Sequence, residues 1–153
     1  MGTDARFPPD AEGETSPLYG ESGGGLVELN EADCRRLLRS GDVGRVVYTD
    51  GALPAVTPVN YVFDDDGVVL RTASGSRLAV KLPGSIVAFE VDELDRGARS
   101  GWSVVVTGPC HVVTDPERIV QISLLTLVPW VSSARSELLE ITAGLLTGRR
   151  IVP

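Results

Sequence analysis

Two β-rich runs joined at an Asp-Gly turn constrain the fold of this chain more than any other stretch. The first run extends from Pro54 to Phe63, and the second, V-V-L-R-T, ends at Thr72. Two such runs across a short turn predict an antiparallel β-hairpin. Because side chains alternate along a strand, one face of the first run carries Val56, Pro58, Asn60 and Val62, and the other carries Thr57, Val59, Tyr61 and Phe63.

A loop of serine and glycine and a short helical segment follow the hairpin directly. Arg71 places a cation at the end of the second run, and Arg77 places another at the start of the helical segment. Gly75 permits an unusual backbone turn between them, and helix starts present N–H groups that bind anions. Hydroxyl groups come from Thr72 and Ser74, and Ser76 lies with Arg77 at the start of the helical segment. This combination predicts a phosphate site, the alternative being two arginines on an ordinary surface.

Pro58 places a residue without a backbone N–H inside the first run. Prolines in strands lie at edges, at bulges, or where the backbone faces something other than a neighbouring strand. The sequence therefore leaves two interpretations open, an edge strand facing solvent and a strand edge facing a ligand.

The rest of the chain predicts a mainly β (α+β) domain with short helices. Further strands are expected at 43–49, 85–91, 102–114 and 137–142, and the strand at 137–142 should be the last one along the chain. Helices are expected at 31–40, 76–82 and 115–128. Gly108-Pro109 should bend its strand, and residues 92–101 should form a solvated, charged connection. The third helix is apolar on more than one side, so its own barrel or a second subunit should bury it.

Charge and composition limit the classes of function. The net charge is -7, of which residues 1–25 contribute -4, from five acidic side chains and Arg6, leaving -3 for the body. An acidic body makes nucleic-acid binding improbable, because that binding needs clustered lysine and arginine. No apolar run approaches a membrane span and the start has no apolar signal core, which predicts a cytoplasmic protein. Cys34 and Cys110 are expected to be buried free thiols.

Residues 1–25 contain three prolines, six glycines and mostly acidic charge, with no periodic apolar pattern. This composition predicts a disordered tail. A single domain should then occupy residues 26–153, a length sufficient for one hydrophobic core.

Six short strings in one order resemble those of a known family. The string L-R-T-A-S-G-S-R-L-A lies between P-V-N-Y-V and V-A-F-E-V-D, and V-G-R-V-V, G-W-S-V-V-V-T-G and T-G-R-R-I complete the set. Together they resemble the flavin-binding segment of the pyridoxamine 5'-phosphate oxidase-like proteins, in the nitroimidazole-reductase-like and uncharacterised branch. The resemblance implies a split β-barrel of the FMN-binding type with a few short peripheral helices. It also implies a homodimer with FMN at the subunit interface.

The resemblance assigns roles to particular residues. Backbone groups that would match the flavin rim belong to Pro58, Val59 and Asn60, and groups that would bind the phosphate belong to Arg71, Thr72, Ser76 and Arg77. Trp102 and Ser103 align with the strand that faces the flavin, while Trp102 fits a core aromatic equally well. Leu78 stands where the parent oxidases carry a lysine, and Lys81 lies one helical turn from Arg77, either in compensation or simply solvated.

Three hypotheses of function follow. The first is an FMN-binding homodimer that passes electrons from a reduced nicotinamide-type donor to a small organic acceptor, without a catalytic acid or base. The second is a barrel that holds flavin, a deazaflavin or haem for storage or sensing without turnover. The third is a ligand-free dimeric interaction protein. His111, the sole histidine, should face away from Cys110 and form no catalytic dyad with it, and no metal site is expected.

Overall fold

The computed structural model describes residues 25–64, 67–127 and 134–153. The strands in these ranges are β1 (Gly25–Glu28), β2 (Val43–Asp50), β3 (Leu53–Phe63), β4 (Gly67–Ala73), β5 (Ile86–Asp95), β6 (Ser100–Val112), β7 (Ser136–Thr142) and β8 (Leu145–Val152). The helices are α1 (Glu31–Ser40), α2 (Arg77–Lys81) and α3 (Pro116–Ser123). Apart from Gly25, which begins β1, the predicted tail lies outside the described residues.

Six strands close into a barrel in the order β6-β5-β2-β3-β4-β7, and β7 pairs back onto β6. All of these neighbours are antiparallel. β8 and then β1 extend the sheet from the other edge of β6. The protein is therefore a split β-barrel with short peripheral helices, as the sequence predicted.

β6 belongs both to the barrel and to the extension of the sheet through β8 and β1. It pairs with β8 as far as Thr107 and with β7 from Cys110 onward, so its partner changes at the predicted bend, although the strand itself is continuous. A Cβ atom on Gly108 would lie 1.9 Å from the carbonyl oxygen of Thr142. The glycine thus permits the close backbone approach through which the barrel closes.

Inward-facing side chains of every barrel strand form one core. Its members on the strands include Val46, Tyr48, Tyr61, Phe63, Val68, Leu70, Val87, Phe89, Val91, Val104, Val106, Leu139 and Ile141. The rings of Tyr61 and Phe89 meet edge to face with centroids 4.7 Å apart. The Tyr61 hydroxyl donates to the carbonyl of Leu38 at 2.6 Å and so ties α1 to the barrel. Burial raises the pKa of Tyr61, which keeps this hydroxyl a donor.

Arg118 fixes α3 to the outside of the barrel. Its guanidinium donates to Asp64 at 2.7 and 3.0 Å and to Glu140 at 2.8 Å. The Arg118 side chain is 12% exposed and that of Glu140 is 7% exposed. The hydrogen bond to Asp64 is the main cause that raises the pKa of Arg118, so the guanidinium remains charged. A branched, nearly buried ion network therefore links this helix to the ends of β3 and β7.

Three sequence predictions about individual elements are wrong. The charged connection at 92–101 is largely hairpin, because β5 continues to Asp95 and β6 begins at Ser100. The polar end of the chain forms β8, so β7 is not the last strand. α3 is shorter than predicted and ends at Ser123. Val120 and Leu124 are 60% and 81% exposed in the single chain, so the described barrel does not bury them and their burial by a second subunit stays a prediction. Among the described residues, no helix is long and apolar enough to cross a membrane.

Candidate functional site

Thr72 and Ser76, two of the predicted site residues, meet at the corner between β4 and α2. The Thr72 and Ser76 hydroxyl oxygens are 2.7 Å apart, and the Ser76 oxygen also accepts the backbone N–H of Ala79 at 3.2 Å. Ser76 is therefore the N-cap of α2, a role typical of serine. Gly75 has φ +76°, the left-handed conformation that the sequence predicted for this turn. The corner is held in shape by its own hydrogen bonds.

The predicted cations lie on two sides of this corner. Arg71, on the outer face of β4, donates to the hydroxyl of Ser136 at 3.3 Å. Arg77 approaches the carboxylate of Asp50 at 3.2 Å, and Lys81 approaches the other carboxylate oxygen at 3.1 Å. The two cations of α2 thus converge on one carboxylate, which sequence reasoning missed because Asp50 lies in a different hairpin.

Leu78 explains how α2 is attached. The side chain is 8% exposed and belongs to the barrel core, together with Leu82. The position where the parent oxidases carry a lysine is therefore an apolar anchor in this chain. Cation density on the helix comes instead from Arg77 and Lys81, whose side chains are 71% and 43% exposed.

The edge of β3 opens beside α2. β3 pairs with β2 from Leu53 to Asn60, but with β4 only from Tyr61 to Phe63. Between Leu53 and Val59, no described strand pairs with the edge that faces β4. Pro58 lies on this edge, where its missing N–H breaks no strand pairing. α2 lies beside this opening, since it follows β4 and forms ion pairs with Asp50, the last residue of β2.

The other two residues predicted on β3 have different surroundings. The Val59 side chain packs against the barrel core. Asn60 faces outward, and its side-chain nitrogen donates to the carbonyl of Asp42 at 3.4 Å. Of the three residues predicted on β3, Pro58 and Asn60 share one face and Val59 has the other, as the alternation predicted.

Trp102 and Ser103 lie away from this opening. β2 and β5 separate β6 from β3, a distance of about 14 Å at three strand spacings. The two residues also face opposite sides of the sheet. Trp102 packs toward the core and borders an open cavity of about 510 Å³ with Glu93 and Arg150. Within one chain, the structure does not bring these two residues together with Arg77.

An ion cluster on the outer face was also missed from the sequence. Arg45, which pairs in register with Pro58, donates to Asp92 at 2.7 Å and to Glu90 at 2.8 Å. The hydrogen bonds that Arg45 donates to Asp92 and Glu90 raise the pKa of Arg45 above its ordinary value. The sequence signal for this ion cluster was the outward position of its charges in V-G-R-V-V and V-A-F-E-V-D, two of the strings that carry the resemblance.

The cysteines and the histidine agree with the sequence predictions. Cys34 and Cys110 are free and buried. Burial raises the pKa of the Cys110 thiol to about 12, so it is not a thiolate near neutral pH. His111 is exposed and lies opposite Glu140 in the β6–β7 pairing, on the other face from Cys110. No Cys-His dyad is formed by this pair.

Comparison with known sequences identifies relatives over most of the chain. The family model described as Pyridoxamine 5'-phosphate oxidase matches residues 30–150. The uncharacterized protein Rv0080 of Mycobacterium tuberculosis is 43% identical over 132 residues, which cover 83% of this chain and 86% of that protein.

Solved structures agree with the sequence match. The FAD binding protein from Mycobacterium smegmatis has a TM-score of 0.73 and 31% identity, covering 81% of this chain and 98% of that chain. The conserved protein of unknown function DIP1874 from Corynebacterium diphtheriae has a TM-score of 0.70 and 33% identity, covering 83% and 98%. Sequence motifs, barrel topology and these matches together place the chain in the pyridoxamine 5'-phosphate oxidase family, to which it belongs.

Proposed function

We propose that this chain is a flavin-binding oxidoreductase that passes electrons from a reduced nicotinamide-type donor to a small organic acceptor. The observation that carries the proposal is the opening between β3 and β4, bordered by Arg71, Arg77 and Lys81. FMN has a phosphate at one end and a ring with donors and acceptors at the other, which suits cations beside an open strand edge. Similarity to an FAD binding protein at 31% identity supports a flavin, and a deazaflavin is the alternative ligand.

Each part of the opening has a role in this assignment. Arg71 and Arg77 bind the phosphate through charge-assisted hydrogen bonds, and the hydroxyls of Thr72 and Ser76 keep the corner in shape. The outer edge of β3 faces the ring at Pro58 and Asn60, while Val59 holds the strand to the core. When bound, FMN supplies the redox chemistry, whereas the protein binds it, orients it and excludes water. We assign no catalytic acid or base. The redox cofactor and the free buried thiols fit a cytoplasmic protein.

We infer that a second copy of the chain completes the site. Two strands lie between β3 and β6 in either direction around the six-stranded barrel. Outward groups on these strands therefore point away from each other. One flavin can contact both Pro58 and Ser103 only if Ser103 comes from a partner subunit. Trp102 faces the other side of the sheet, where it borders the cavity with Glu93 and Arg150.

An apolar row on the outer face supports such a homodimer. The strand register aligns one outward residue from each of β3, β2, β5, β6 and β8: Val56, Val47, Ala88, Thr107 and Leu145. In the single chain Val47, Val56 and Leu145 are 36%, 59% and 61% exposed. Contiguous exposed apolar surface is typical of protein association sites.

Substitution of Val56 by lysine is expected to convert the dimer into a monomer, because it places a charge in the row that the partner would desolvate. Sedimentation equilibrium measures the mass directly. Leu124→Lys, on the exposed side of α3, is the matched control and should remain dimeric. A dimer that survives Val56→Lys and dissociates with Leu124→Lys would assign the interface to α3 instead.

Substitution of Arg77 by alanine is expected to weaken FMN binding about ten- to hundredfold, through loss of a charge-assisted hydrogen bond. Quenching of flavin fluorescence in a titration gives the Kd. Arg36→Ala removes another exposed, ion-paired arginine, on α1, and should leave the Kd unchanged. Equal FMN affinity in wild type and Arg77→Ala would refute the phosphate assignment.

Turnover separates an oxidoreductase from a flavin-storage or sensing module on the same barrel. The flavin-loaded protein should reduce an added acceptor continuously at the expense of a reduced nicotinamide, faster than the same concentration of free FMN. Binding without such an excess rate would favour the storage or sensing function. A protein that retains no flavin absorption after mixing with FMN would exclude FMN as the ligand.

A further inference from the structure

We propose that Asp50 sets the charge accepted by the phosphate site and favours a phosphate group with one negative charge over a group with two. The inference deepens the proposed function and rests on it. The distinction separates two flavins: the phosphate of FMN is a monoester with about 1.5 to 2 negative charges at pH 7. Each phosphate within the diphosphate of FAD carries one.

The geometry makes Asp50 an internal anion at this site. Its two carboxylate oxygens approach different cations, one Arg77 at 3.2 Å and the other Lys81 at 3.1 Å. The Asp50 side chain is 22% exposed, whereas the two cations are 71% and 43% exposed. A ligand phosphate that reaches these cations must therefore share them with Asp50 or displace it.

Displacement is opposed by the backbone that carries Asp50. Asp50 and Leu53 are paired across a two-residue turn whose central residues, Gly51 and Ala52, have φ +57° and +66°. Positive φ at both positions is typical of the type I′ turn, which matches the twist of a hairpin. Asp50 carries its carboxylate on a short side chain at the end of a paired strand, whereas Arg77 and Lys81 have long side chains that can reorient. Asp50 therefore stays while the cations turn toward the ligand.

The charge balance then differs between the two flavins. Two cations and one carboxylate leave a net charge of about +1 at the α2 side of the opening. Each negative charge on a phosphate is repelled by Asp50, so this carboxylate disfavours a monoester with two charges more than a phosphate with one. Arg71, which is bonded to Ser136, attracts both ligands. At separations of about 5 Å, one exposed unit charge changes affinity roughly three- to tenfold.

The test compares three flavins on the full-length protein: FMN, FAD and riboflavin, which lacks phosphate. Asp50→Asn removes the charge but keeps the shape and a residue suited to the turn. In Asp50→Asn, the Kd for FMN should fall about tenfold, the Kd for FAD about threefold, and the Kd for riboflavin by less than twofold. Asp50→Glu, which restores the charge, should return the FMN to FAD ratio toward that of wild type.

Asp33→Asn is the matched control, since it removes one negative charge and one arginine partner on α1. It should leave all three Kd values unchanged. An unchanged FMN to FAD ratio in Asp50→Asn, or weaker binding of both phosphate-bearing flavins, would overturn the role of Asp50 while leaving the proposed function intact. If wild type and Asp50→Asn bind none of the three flavins, the proposed function fails and this inference fails with it.

Discussion

Replacement of Gly108 by alanine is expected to destabilise the fold by about 3 kcal/mol or more. The added methyl group would lie 1.9 Å from the carbonyl oxygen of Thr142 and 3.2 Å from the amide nitrogen of Gly144. Both neighbours are backbone atoms, so no side chain can rotate to make room. The contact lies where β6 changes partner from β8 to β7, and relief of the clash must therefore separate strands that close the barrel.

Urea denaturation, monitored by tryptophan fluorescence, measures this loss of stability as a lower midpoint concentration of urea at an unchanged m value. Gly97→Ala, in the turn between β5 and β6, is the control because its methyl group would lie 3.4 Å from a carboxylate oxygen of Asp95, an ordinary contact. That variant should unfold close to wild type. Equal stability of the two alanine variants would mean that the barrel closes without the close approach at Gly108.

Replacement of Arg118 by methionine is expected to cost about 3 to 5 kcal/mol, because it leaves two carboxylates without their shared cation in a nearly buried site. Methionine retains most of the aliphatic volume, so the effect reports charge more than packing. The free energy of unfolding should recover in part when Asp64→Asn and Glu140→Gln are added, since the remaining groups then carry no charge. Urea titrations of the single and triple variants measure both effects.

Arg36→Met provides the comparison for an exposed ion pair. Arg36 and Asp33 are 62% and 38% exposed, and such surface pairs contribute between zero and about 1 kcal/mol. A loss in Arg118→Met no larger than in Arg36→Met would show that α3 is not fixed by this network. No recovery in the triple variant would assign the loss to packing of the helix instead.

Local signals predicted much of the fold. Asn30 and Asp115 cap their helices as predicted, because capping depends on a few adjacent residues. The alternation along β3 predicted which side chains share a face, since a period of two is fixed by strand geometry. The change of partner in β6 falls where the residue types predicted a bend. These features require no knowledge of distant parts of the chain.

Non-local features were harder to predict. The pairing of Arg77 and Lys81 with Asp50 joins residues in different hairpins, and their separation in the sequence gives no period to detect. The strand β8 was missed because its T-G-R-R segment is polar and partly exposed, which is also typical of a loop. α3 was predicted too long because an apolar sequence does not reveal which side chains meet the barrel. The segment containing Trp130 lies outside the described residues.

The helix α2 keeps the side chain that anchors it and the side chains that carry its charge on different faces. Leu78 faces the core, whereas Arg77 and Lys81 face outward, so substitutions at the charged positions need not disturb the apolar anchor. Selection can then alter the charge of the site without first compensating for a loss of stability. Over evolutionary time, this arrangement allows a lineage to drift between ligands while its barrel stays the same.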